Sequence, residues 1–153
     1  MTALKRISLF LLAFALVLAA SGCGPSVEET YFTNLTPAVE EYNAALAGVG
    51  TQFEGISNDA LNDQAWMDAT FAALDRLDAA GQALAATPND QVPEKWVELD
   101  NTLVQISDQT TTFVTNMKAA LESQDKDAML AALDEFSVIG TLFEQAKDLL
   151  SAE

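Results

Sequence analysis

WVELDNTLVQISDQTTTFVTNMKAA, residues 96–120, decides the fold. Its residues Trp96, Leu99, Leu103, Ile106, Thr110, Phe113, Met117 and Ala120 recur at alternating three- and four-residue steps, with polar residues between them. That spacing places one stripe along a helix and leaves the remaining faces to water. Upstream, Phe32, Leu35, Val39, Tyr42, Leu46, Val49, Phe53 and Ile56 repeat it. Pro37 falls inside this earlier stripe. Thr36 could cap a new helix with Pro37 at its first position, but the stripe keeps its phase, which favours one long kinked helix.

Between these stripes, Ile56-Ser57-Asn58-Asp59 reads as a turn leading into a helix from about Ala60 to Ala86. Trp66, Ala73, Leu77, Ala80 and Leu84 share its face, widened by Met67, Phe71 and Leu74. Thr87-Pro88-Asn89-Asp90 ends it, and Pro93 with Glu94 opens the third helix. A break at Ser123 to Asp125 precedes a fourth helix, Lys126 to Ser151, built on Met129, Ala132, Leu133, Phe136, Ile139, Phe143, Ala146 and Leu150. Short connections make consecutive helices antiparallel. The predicted fold is all-α, an up-down-up-down four-helix bundle over residues 27–153, with helices roughly 40 to 48 Å long.

The segment before the bundle has a different character. Lys5 and Arg6 precede an uncharged run from Ile7 to Ala20, followed by Ser21, Gly22 and the only cysteine, Cys23. A membrane-spanning helix needs about 20 apolar residues, more than this run supplies. A positive start, a short apolar middle and a small-residue exit describe a cleaved export signal. The order Ala20-Ser21-Gly22-Cys23 resembles the lipobox of bacterial lipoproteins. That resemblance covers only the signal. It implies cleavage between Gly22 and Cys23, diacylglycerol and further acyl (palmitate-type) chains on Cys23, and attachment to a bilayer outside the cytoplasm. Residues 1–22 are then the signal peptide, and residues 23–26 a short lipid-anchored tether. Gly24 follows the cysteine, and both the outer membrane and the outer face of a plasma membrane stay open as locations.

Composition narrows the function. After residue 22 only Arg76, Lys95, Lys118, Lys126 and Lys147 are basic, against 23 acidic residues, a charge of −18. Such a field repels nucleic acid. It suits a solvated surface, a salt-rich setting, or a basic partner or cation. No histidine is present. Hydrolase triads, Cys/His zinc sites and Glu-x-x-His di-iron centres are therefore excluded, and no disulfide can form within the mature chain.

Weaker candidates remain. Asp125-Lys126-Asp127 starts like a calcium loop, but Met129 and Ala131 stand where oxygen ligands and a turn glycine are needed. Asp59 with Asp63 and Asp75 with Asp78 could share helix faces as ordinary surface charge. Trp66 and Trp96 belong near opposite helix ends, as core or as stacking platforms. Gly48, Gly50, Gly81 and Gly140 suggest close helix packing or a groove. Thr110-Thr111-Thr112 reads as polar surface or a weakened mid-helix segment. Phe32, Phe53, Phe71, Phe113, Phe136 and Phe143 could fill the interior or line a ligand cavity. No catalytic residue, metal ligand or cofactor is assigned. The leading expectation is a non-enzymatic interaction or scaffold lipoprotein; the alternatives are binding of a small apolar ligand or of divalent cations.

Overall fold

Ser26 starts the first helix. Its hydroxyl accepts the Glu29 backbone N–H at 3.1 Å, and the Glu29 carboxylate accepts the Ser26 N–H at 2.8 Å. This reciprocal capping box satisfies two donors that a helix start otherwise leaves open. The computed structural model describes residues 25–54, 60–86 and 92–151. Four α-helices follow in order: α1 Val27–Phe53, α2 Gln64–Ala86, α3 Val97–Ser123 and α4 Lys126–Ser151. They form the up-down-up-down bundle that the stripes predict, with no strand among the described residues.

Helix ends depart from the sequence reading, and caps explain most of the difference. α1 stops at Phe53 with Glu54 extended, so the stripe's last member, Ile56, lies outside the described residues. α1 runs unbroken through Pro37. Thr36 is not a cap; its hydroxyl donates to the Phe32 carbonyl within the helix at 2.7 Å. A single 3₁₀ turn, Ala60–Asn62, precedes α2. Asp63 then accepts the backbone N–H groups of Ala65 and Trp66 and begins α2 four residues later than expected. Likewise Glu94–Trp96 forms a 3₁₀ turn before α3 starts at Val97. The first three helices are shorter than expected and α4 keeps its expected bounds, so the four run between 23 and 27 residues, about 35 to 40 Å.

Between α3 and α4 the chain turns in two residues. Gln124 adopts a left-handed conformation at φ 54°, and the Asp125 N–H reaches back to the Ala120 carbonyl at 3.0 Å. Asp125 then caps α4 by accepting the N–H groups of Asp127 and Ala128. Gln124 also ties this connection to the 3₁₀ turn before α2 by donating to the Leu61 carbonyl.

All four helices meet at one level of the core. Tyr42 of α1 is fully buried, packs on Phe143 of α4, and its hydroxyl lies 2.7 Å from that of Thr110 in α3. Thr110 spends its own proton on the Ile106 carbonyl at 2.7 Å, so Tyr42 is the donor between the two hydroxyls. α2 contributes Gly81 at this level. A Cβ there would stand 3.2 Å from Thr110 Cγ2 and 3.3 Å from its Cβ. Gly48 and Gly140, by contrast, have open space where a Cβ would go. The packing explanation therefore holds for Gly81 and fails for those two.

The α4 stripe is narrower than its sequence suggests. Ala132, Ile139, Phe143 and Ala146 face inward, whereas Leu133 is 46% exposed beside Leu130 at 62%. One step of about 100° around the helix carries Leu133 from the core side of Ala132 toward solvent.

Glycine costs up to about 1 kcal/mol relative to alanine in a helix interior. Gly48→Ala and Gly140→Ala are expected to stabilise the bundle by up to about that amount. Gly81→Ala should lose about 1–2 kcal/mol, because the hydrogen-bonded Thr110 cannot yield. Denaturant unfolding of the three variants gives the comparison.

Candidate functional site

Cys23 and Gly22, the residues on which the sequence reading places lipidation and cleavage, lie outside the described residues, as does Asp59. The nearest described structure is the end of the bundle that begins at Ser26. There the Glu28 carboxylate accepts hydrogen bonds from Lys95 Nζ at 2.7 Å and Trp96 Nε1 at 2.9 Å. Both donors favour the charged form and hold the Glu28 pKa below its ordinary value, with Lys95 the larger influence. Trp96 is buried, with Phe32 edge-on to its ring at 5.1 Å and the Lys95 ammonium 5.0 Å from its centroid. This contact joins the first turn of α1 to the entry of α3. Val27 and Val97 flank it, 49% and 46% exposed.

One turn further in, the buried Tyr31 hydroxyl lies beside Asp100, short of a well-formed hydrogen bond. Burial and then the Asp100 charge push the tyrosine pKa up. Burial also raises the pKa of Asp100, more than the neighbouring Tyr31 hydroxyl lowers it. Tyr42, deeper in the core, is pushed up to about 12, again by burial, with the Thr110 hydroxyl acting in the opposite direction. Both tyrosines are therefore uncharged near neutral pH. The side-chain amide of Asn43 is buried without a partner, and nothing in the structure explains it.

The remaining candidates disperse. Asp63 and Asp125 are helix caps. Asp75 accepts from Lys118, while Asp78 accepts from Thr111 and Gln82. The three threonines divide their roles. Thr110 is core, Thr111 bridges α3 to α2, and Thr112 returns to its own helix at the Asp108 carbonyl. Among the described residues no three His, Cys, Asp or Glu side chains are grouped to hold a metal ion. Nor is any described helix long and apolar enough to cross a membrane.

The two tryptophans do stand at opposite ends. Trp66 donates to the Gln52 carbonyl near the end of α1 and meets Phe53 edge-on. The phenylalanines are distributed between levels rather than gathered around one space. Phe32 contacts Trp96, Phe53 contacts Trp66, Phe143 contacts Tyr42, and Phe113 packs on Phe136. Phe71 sits beneath the Lys118 ammonium. Sequence reasoning placed Thr110 in the apolar stripe but missed its bond to Tyr42, since spacing says nothing about which polar tips meet. No protein family, curated protein or solved structure matches the chain.

Opposite pH signatures are expected from the two perturbed carboxyls. Asp100 has a raised pKa, so its favourable contribution is present in acid and is lost as pH rises through that value. Asp100→Asn should therefore be more stable than wild type at neutral pH, the advantage vanishing in acid. Glu28 has a lowered pKa, so its contribution is present at neutral pH and is lost as pH falls through that value. Glu28→Gln should be less stable at neutral pH, with the deficit vanishing in strong acid. Thermal melts across the acidic range measure both trends.

Proposed function

We propose that the protein is a bacterial lipoprotein, held outside the cytoplasm by acyl chains on Cys23, whose bundle acts as a non-enzymatic interaction or scaffold module. The order Ala20-Ser21-Gly22-Cys23 carries this reading. One buried chain gives marginal membrane binding and two or more give stable anchoring, each CH₂ contributing roughly 0.8 kcal/mol. The capped start of α1 supports it, because a folded body begins three residues after the cysteine.

The chemistry of the bundle supports an interaction role over catalysis. Apart from the Tyr31 hydroxyl and the Asn43 amide, most polar side chains near the core are engaged in caps, helix carbonyls and one hydroxyl pair. Arg76, Lys95, Lys118 and Lys147 each hold a carboxylate, at Glu41, Glu28, Asp75 and Glu144 respectively. These surface pairs contribute little stability, typically below about 1 kcal/mol. They pair most of the few cations with neighbouring acids on the surface, and the many remaining carboxylates leave a strongly negative exterior. A basic protein surface is the partner such an exterior recruits fastest and most selectively.

Intact-mass analysis of protein extracted from its bacterial membrane tests the anchor. The expected species begins at Cys23, lacks residues 1–22 and carries two or three acyl chains. Cys23→Ser is expected to stay uncleaved and unacylated. A native species retaining residues 1–22 without added lipid would refute the proposal.

A further inference from the structure

We infer that the bundle stands end-on at the bilayer, with the Glu28–Lys95–Trp96 end against the lipid headgroups and the α3–α4 turn projecting outward. This rests on the proposed anchor and adds an interaction surface to it. The tether sets the first constraint. From Cys23 to Val27 the chain spans four residue steps, at most about 14 Å when fully extended. The end that carries Val27 therefore cannot leave the surface, whereas the opposite end can swing.

Charge decides which way it swings. A body with a net charge of −18, tethered at one end, lowers its repulsion from an anionic membrane by moving its free length away from the surface. The tethered end is itself suited to contact. Lys95 and Trp96 engage the Glu28 carboxylate, Glu29 folds back onto Ser26, and Val27 and Val97 are exposed on either side. The exposed Val27 and Val97 beside the half-exposed Lys95 ammonium match the boundary between headgroups and acyl chains, where apolar side chains and long cationic side chains settle, while Trp96 stays buried beneath them. Glu94 and Glu98 at the same end limit how far it can sink.

The internal geometry supplies a ruler. Tyr42 touches both Thr110 and Phe143. Val97 precedes Thr110 by 13 residues on α3, and Leu130 precedes Phe143 by 13 residues on the oppositely directed α4. The direct contact of Phe113 on Phe136 gives a slightly shorter path, and at 1.5 Å per residue the two exposed positions are separated by roughly 33 to 39 Å along the bundle.

The test uses the full lipidated chain in vesicles of phosphatidylcholine with a minority of phosphatidylglycerol. Val97→Cys and Leu130→Cys each carry a fluorophore, and a fraction of the lipid bears a nitroxide on its headgroup. Both substitutions replace exposed side chains, and matching thermal melts check that the bundle is intact. The expected result is quenching several-fold stronger at position 97 than at position 130. Comparable quenching at both, or stronger quenching at 130, in protein that floats with the vesicles would overturn the end-on orientation while leaving the anchor standing. Protein that fails to float would overturn the anchor itself.

Discussion

The hydrogen bond from the Tyr42 hydroxyl to Thr110 is the constraint on which the rest of the bundle depends. Stripes with three- and four-residue steps hold helices together without saying how far each has slid along its neighbour, because a shift of one heptad pairs apolar residues again. A buried polar pair removes that freedom. Any such slip would leave the tyrosine hydroxyl buried without an acceptor, at a cost of about 1–3 kcal/mol. Gly81 lets α2 approach Thr110, and Phe143 brings α4 onto the Tyr42 ring. The relative registers of the four helices are thus fixed at one level, and the contacts at both ends follow from it. Trp96 meets Glu28 at one end, and Trp66 meets the Gln52 carbonyl at the other.

Much of this fold was legible because helix periodicity is a property of neighbours in sequence. The four stripes, their antiparallel order and the continuation of α1 through Pro37 all came from local spacing. The boundaries did not. Ala60 and Glu94 look like helix starts, but each opens a 3₁₀ turn, and the choice depends on which residue caps the following α-helix. The inward residues of α4 were blurred for a related reason. Ala132 and Leu133 are both apolar, and only the position of the neighbouring helices shows that the smaller one faces the core. Long-range polar contacts were beyond reach. Nothing about Tyr42, Thr110 or Gly81 in sequence announces that they share a layer, and the Glu28–Trp96 bond joins residues 68 positions apart.

For function, the sequence and the structure contribute different halves. The signal-like segment and Cys23 carry the proposed location, and they lie outside the described residues. The structure contributes an acidic helical bundle about 40 Å long whose capped start lies three residues beyond that cysteine. Under the proposed anchor, a short tether and a long body define an orientation, and orientation determines which surfaces a partner can reach. In the proposed arrangement the outer half of the bundle, including exposed Leu130 and Leu133, is presented away from the membrane, while the acidic flanks set the charge of an incoming partner.

The central structural claim, that the Tyr42–Thr110 pair locks the register, is tested most directly by a double-mutant cycle in denaturant unfolding. Thr110→Val should be the costlier single change, at about 1–3 kcal/mol, because it orphans the Tyr42 hydroxyl. Tyr42→Phe should cost about 1 kcal/mol, since Thr110 keeps its bond to Ile106. The double variant should lose clearly less than the sum of the two, giving a coupling of at least about 0.5 kcal/mol. Strictly additive losses, or a Thr110→Val variant as stable as wild type, would contradict the account.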